Sequence, residues 1–360
     1  MSIDVSEIRR TVSGALDRVL GRALEQEAAE GEQLLDIHSG RFIIFSDHHK
    51  GNRDGADDFR ACERAYNAAL AYYDSLGYTL VVLGDVEELW EEQPKTVLNA
   101  YPHTLALEGK FHFAGRYLRF WGNHDDDWSH PDLVDGLLAP ALGGGPLKVR
   151  ETMILHVRDG EEELGRLFLA HGHQGTLDSD RFSRVSRLFV RFFWRPIQRI
   201  IKFSFNTPAR DYQLRFAHEI AMYTWSEAQR KLVLIAGHTH RPVFKSKSRE
   251  EVILKELREA EEKLARSPDN RALQRQIAEL RAELEWILAQ NQQSSPPLSM
   301  IEFKKPSYFN TGCCCFLDGD VTGLEISEGG IRLVRWPDDE DFPKPKVLAS
   351  AMLKEVFAAC

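Results

Sequence analysis

The chain lacks a long apolar run. No stretch approaches the ~20 consecutive apolar residues that a membrane-crossing helix needs, and the first residues carry no signal-peptide core. The expectation is a cytoplasmic chain, with peripheral attachment at the inner face of a membrane left open. An excess of basic charge is also missing. The formal net charge of −9 argues against generic nucleic-acid binding, which depends on neutralising phosphates. Cysteine is scarce. The five are Cys62, Cys313, Cys314, Cys315 and Cys360, with no C-x-x-C pair, and a run of three suits a tetrahedral zinc site poorly. Thiols packed in a strand of a reduced protein are expected instead.

What is present suits a folded chain. Hydrophobic residues make up 43% and charged residues 28% of 360, which excludes wholesale disorder and allows one large α/β domain with insertions or two smaller domains. Residues 1–35 hold an amphipathic helix, with Ile8, Val12, Leu16, Val19 and Leu20 at helical spacing. Residues 36–345 read as the main domain. In it, the short apolar runs 41–45, 78–83, 117–121, 166–170 and 231–236 look like buried strands, several separated by helix-length segments, which predicts an α/β fold.

Two insertions interrupt the strands. Residues 176–230 are aromatic and basic. Residues 249–294 contain a helical hairpin over 249–290: Ile253, Leu257, Ala260 and Leu264, then Leu273, Ile277, Leu280, Leu284 and Ile287, repeat at helical spacing around a turn at Ser267-Pro268-Asp269-Asn270. Read blandly, the hairpin is a solvated antiparallel coiled coil. Its alternative role is docking a partner or a second copy of the chain. A C-terminal helix is expected over 346–360.

Each of the five runs ends in polar residues suited to binding metal. They are Asp47-His48-His49, Gly84-Asp85-Val86-Glu87-Glu88, Gly122-Asn123-His124-Asp125, His171-Gly172-His173 and Gly237-His238-Thr239-His240. In extended chain, alternate residues share a side, so both Asp47 and His49 can face one cation. Gly-His-x-His has the same geometry. Asp85 is the candidate bridging carboxylate. Imidazole with carboxylate suits Mn, Fe or Zn better than Ca or Mg, and the glycines allow sharp turns beside an open site. One Asp-x-His means little; the ordered series at successive strand ends is the specific signal, because open α/β sheets build sites there.

The series D-x-H, G-D-x-x-E, G-N-H-D, H-G-H and G-H-x-H resembles the calcineurin-like metallophosphoesterase superfamily, from residue 41 to about 336. The resemblance implies a four-layer α/β/β/α sandwich and two divalent cations per chain, with Mn2+ the first choice and Fe or Zn the alternatives. It implies that Asp47, His49, Asp85 and His240 hold one metal, and that Asp85, Asn123, His171 and His238 hold the other. His124 would then be catalytic at the scissile phosphate, with Asp125 orienting it. Gly84, Asp85, Glu88 and Trp90, together with Gly237-His238-Thr239-His240-Arg241-Pro242, are most similar to the UDP-2,3-diacylglucosamine hydrolases. Those enzymes carry Arg where this chain has His124.

The expected activity is hydrolysis of a phosphodiester or pyrophosphate, with a lipid-linked or nucleotide-sugar substrate in view. The alternatives are a soluble phosphodiesterase for cyclic nucleotides or similar small esters, and a non-catalytic membrane-associated scaffold. A lipid-facing lid is suggested by Arg181, Arg184, Arg187, Arg191, Arg195, Arg199 and Lys202, which fall on one helical face without an intervening acid. Such a pattern over 181–205 suits an anionic membrane surface.

Overall fold

The computed structural model describes residues 5–175, 208–290, 304–338 and 342–360. The basic stretch expected to form a lid, residues 181–205, lies outside the described residues.

Among the described residues, two mixed sheets of seven strands form the frame. The first runs in the order β1 (Gln33–Asp36), β6 (Thr152–Asp159), β7 (Glu162–Ala170), β8 (Leu232–Ala236), β11 (Tyr308–Thr311), β9 (Pro242–Phe244) and β10 (Lys247–Ser248). The second runs β14 (Lys346–Met352), β13 (Gly330–Trp336), β12 (Val321–Ser327), β2 (Phe42–Phe45), β3 (Thr79–Leu83), β4 (Tyr117–Phe120) and β5 (Val149–Arg150). All five expected apolar runs are strands.

Side-chain alternation makes these sheets a sandwich. Ile44, Val81, Leu83 and Phe120 of the second sheet join Leu155, Leu167, Leu169, Val233, Ile235 and Phe309 of the first in one buried cluster. Their neighbours in sequence turn the other way. Ile43, Phe45, Leu80 and Val82 pack with α2 (Phe59–Ser75), whose Phe59, Cys62, Tyr66, Ala69 and Tyr73 are buried at helical spacing. Beyond α2 come α3 (Pro94–Ala100) and α4 (Pro102–Phe113), the latter lending Phe111 to the same cluster.

On the outer face of the first sheet lie α1 (Val5–Glu30) and α5 (Pro208–Ala228). Of the stripe read from the sequence, Val12, Leu16 and Val19 are buried there and Ile8 and Leu20 are half-buried; with Ala23 they pack with Ile154, Phe168, Leu234, Met222 and Trp225. The amphipathic helix therefore closes this domain's own core.

The hairpin forms as expected from α6 (Arg249–Arg266) and α7 (Arg271–Gln290). Ser248 and Glu251 make a reciprocal capping box at the start of α6, and Asn270 Oδ1 accepts from Ala272 N at 3.1 Å and Leu273 N at 3.2 Å to open α7. Its foot is anchored to the domain. Trp286 Nε1 donates to Asp318 at 2.6 Å, the ring meets Phe316 edge-on, and the Arg335 guanidinium lies 4.1 Å from its centroid.

One expectation fails at the C-terminus. Residues 346–352 are not helical. They form β14, which pairs antiparallel with β13 from Gly330↔Met352 to Arg335↔Lys346. Only Leu353–Ala358 is helix (α8). The open edge of β13 offers unpaired backbone groups, and pairing them outweighs the local helical preference of a short segment.

Strand direction decides where the site falls. β2, β3 and β4 are mutually parallel, as are β7, β8 and β11. Each parallel set therefore delivers its C-terminal ends to one edge, and the motifs follow those ends.

Candidate metal centre

The β2 end leaves the sheet beside the β3 end. Asp47 N donates to Gly84 O at 3.1 Å, His48 N to Asp85 O at 2.8 Å and Lys50 N to Val86 O at 2.8 Å. Asp47, His49, Asp85, His238 and His240 all have φ between 51° and 68°. Non-glycine residues rarely adopt that left-handed region, and such strain gathers at functional sites.

The loop after β2 turns alternate side chains to opposite sides, through left-handed backbone at Asp47 and His49 and not through extended chain. Asp47 and His49 face inward, whereas His48 between them packs against Phe59 and Tyr66, with ring centroids 5.7 and 4.6 Å away. Gly122 allows the closest approach, because a Cβ there would lie 2.7 Å from the Asp85 backbone nitrogen and 2.7 Å from His171 Cδ2.

Two groups of ligand atoms result. Asp47, His49 and His240 form one; Asp85, His171 and His238 form the other; within each group the ligating atoms lie within 4.8 Å of one another. Asp85 connects them, with Oδ2 2.9 Å from His171 Nε2 and 3.9 Å from His49 Nε2. Asp47 Oδ1 lies 3.3 Å from His240 Nε2 and 4.0 Å from His171 Nε2. His238 N donates to both Asp47 oxygens, at 3.1 and 2.9 Å, which ties the β8 end to the β2 end.

These donors fit a cation. His171 Nδ1 lies 2.8 Å from Leu83 O, which can only accept, so Nδ1 carries the hydrogen. In the neutral ring Nε2 is then a lone pair aimed at the Asp85 carboxylate, and two acceptors facing each other need a positive charge between them. Without a metal a proton serves. Burial works against charge on His171, but Asp85 and Asp47 beside it push its pKa up to about 9. Burial also disfavours the Asp85 anion, yet His171 and His124 hold its pKa well below the usual carboxylate range. Asn123 is buried on the loop beside Asp85, and its Oδ1 has no hydrogen-bond partner among the described residues. A carbonyl-type oxygen left that way is costly unless something binds it.

No protein-family model and no curated protein matches the chain.

The rim carries a third group, His49, Glu88 and His124. His124 Nδ1 lies 2.9 Å from Glu88 Oε1, and His49 Nδ1 lies 2.9 Å from Glu88 Oε2, so one carboxylate orients two rings. Trp90 stacks on His124 with centroids 4.2 Å apart at 19°, and its indole nitrogen donates to Asn123 O. Burial opposes a charge on His124, but Glu88 and Asp85 push its pKa up to about 9. For Glu88, burial is likewise opposed by His124, and the carboxyl is held down to about 2.

The orienting role expected of Asp125 belongs to Glu88. Asp125 instead accepts from the backbone nitrogens of Gly122 at 2.6 Å, Val86 at 3.0 Å and Asp85 at 3.2 Å, and from Arg119 at 3.2 Å. It bends back under the loop and fixes the Asp85 backbone. Burial pushes its pKa up to about 6, against Arg119. The sequence contained the Glu88 signal in its spacing from Asp85. Which carboxylate meets His124 depends on the loop path, however, and spacing does not reveal that.

Proposed function

We propose that this protein is a two-metal phosphoesterase that hydrolyses a phosphodiester or pyrophosphate bond, built on the four-layer sandwich of the calcineurin-like metallophosphoesterases. One observation carries the reading. Two ligand groups drawn from the parallel strand ends adjoin through Asp85, with Asp47 Oδ1 also 4.0 Å from His171 Nε2, and a His124–Glu88 pair lies at the rim.

In this reading Asp47, His49, Asp85 and His240 hold one cation, and Asp85, Asn123, His171 and His238 hold the other. The mixed imidazole and carboxylate set favours Mn2+, with Fe or Zn as alternatives. When bound, the cations neutralise phosphate oxygens and supply a nucleophile at neutral pH. The chain's own groups do the rest. His124 is protonated at neutral pH in the metal-free protein, since its pKa sits near 9. It would donate a hydrogen bond, or a proton, to the oxygen of the departing group, while Glu88 holds its ring and preserves its charge. Trp90 restricts the ring to one orientation. Asp125 keeps Asp85 in place through the backbone.

Lipid-linked or nucleotide-sugar substrates are favoured by the G-D-x-x-E-x-W pattern and by the basic, aromatic run at 181–205. The test is a substrate panel. Mn-loaded protein is offered phosphomonoesters, phosphodiesters and pyrophosphate esters. The proposal expects metal-dependent cleavage of a diester or pyrophosphate. Full metal loading with no cleavage of any class would instead favour a non-catalytic scaffold.

A further inference from the structure

The cysteine triplet is not a uniform packed strand. After β11 the chain turns at Gly312, with φ of 78°, and then alternates. Cys314 is buried in the cluster under α2. Cys313 and Cys315 face the opposite way, toward His240. The two sulfurs and a ring nitrogen of His240 all lie within 4.8 Å of one another, and Cys315 Sγ is 3.5 Å from His240 Nδ1. A tetrahedral cation with metal–sulfur bonds of ~2.3 Å spaces its ligands by roughly 3.5–4 Å, so this cluster needs little rearrangement. Cys313 is buried and Cys315 only half-buried, which leaves an approach from solvent.

We propose that Cys313, Cys315 and His240 Nδ1 form a separate cation site that takes one thiophilic divalent ion, Zn2+ or Cd2+. Two thiolates and an imidazole are a soft set, unlike the groups across the ring, each of which has one carboxylate, two imidazoles and no thiol. Binding forms two metal–sulfur bonds and one metal–nitrogen bond at His240 Nδ1, and releases two thiol protons and the Nδ1 ring proton to solvent, with no change of oxidation state. His240 is the shared element, because its Nε2 faces Asp47 while its Nδ1 faces Cys315. Filling the thiol site therefore engages a ring that the first ligand group also uses. A thiophilic ion should act there as an inhibitor distinct from the ions that serve hydrolysis.

The experiment uses the full chain, stripped with a chelator and titrated with Co2+. Thiolate-to-cobalt charge-transfer absorption in the near ultraviolet is expected. The Cys313→Ser/Cys315→Ser chain, which keeps Cys62, Cys314 and Cys360, should lose that absorption while retaining its fold by circular dichroism. Equal absorption in both chains, or none in the parent, overturns the site. Should the double variant fail to fold, cadmium NMR of the parent decides alone: a resonance in the thiolate-ligated range supports the site, and only oxygen- and nitrogen-ligated resonances refute it. Neither readout depends on catalysis, so a failure of phosphoester hydrolysis leaves this result separable.

Discussion

At the scale of single residues, the site is governed by which groups can carry charge. Glu88 and His124 are paired, with Glu88 moved down to about 2 from 4.5 and His124 moved up to about 9 from 6.5. The sign follows for each. Stability from His124 is complete below 6.5 and is lost as pH rises through about 9. Stability from Glu88 is complete above 4.5 and is lost as pH falls through about 2. In the metal-free protein, Glu88→Gln should therefore lower the melting temperature most between pH 4.5 and 6.5, with the difference shrinking toward pH 9. A difference that is flat over this range would contradict the pairing. His124→Ala should cut kcat by roughly 10²–10⁴, as for a positioned acid–base group. Metal content measured by mass spectrometry should stay at the parent level; loss of metal would make His124 a ligand instead. That Asp47 and His49 share a side, with His48 turned away, was legible in the sequence, although the extended chain expected there is replaced by left-handed backbone at both residues. The Glu88 role was not, because it arises where two loops from different strands meet.

At the scale of elements, the parallel strands bring the motifs together and the glycines let them touch. Gly122→Ala would drive a methyl into the Asp85 backbone and the His171 ring, at 2.7 Å from each. Backbone cannot yield there, so the variant should lose metal affinity while keeping both sheets. Calorimetric metal titration equal to the parent would refute the crowding argument. The hairpin is the opposite case. Ile253, Leu280 and Ile287 form a small buried cluster of their own with Leu257, Leu284 and Trp286, and Arg249 is paired to Glu283 at 2.6 Å. Replacing residues 249–294 by a short Gly-Ser linker should thus leave the metal groups assembled, since loop closure costs change slowly with length. Loss of metal binding on that replacement would show that the foot at Trp286 supports the site. Hairpin periodicity was readable because both helices keep a regular apolar stripe. The C-terminal strand was not, since β14 exists only through pairing with β13, a partner that local sequence does not announce.

At the scale of the whole molecule, the sandwich is closed by amphipathic helices whose apolar stripes are read from the sequence. α1 is an example: Leu16 is fully buried against the first sheet. Leu16→Ala should destabilise the fold by about 2–5 kcal/mol, the range for emptying a packed leucine site, read as a lower denaturation midpoint in urea. A change of only a few tenths would mean that α1 is peripheral. The central claim is that the two ligand groups act as one centre through Asp85. Hydrolysis of a chromogenic phosphodiester or pyrophosphate ester, measured against the number of Mn2+ bound per chain, tests it most directly. The account predicts that activity rises with the second equivalent in the parent, and that Asp85→Asn loses at least one bound ion together with nearly all turnover. Full occupancy by two ions in Asp85→Asn, or two bound ions in the parent with no hydrolysis, would contradict it.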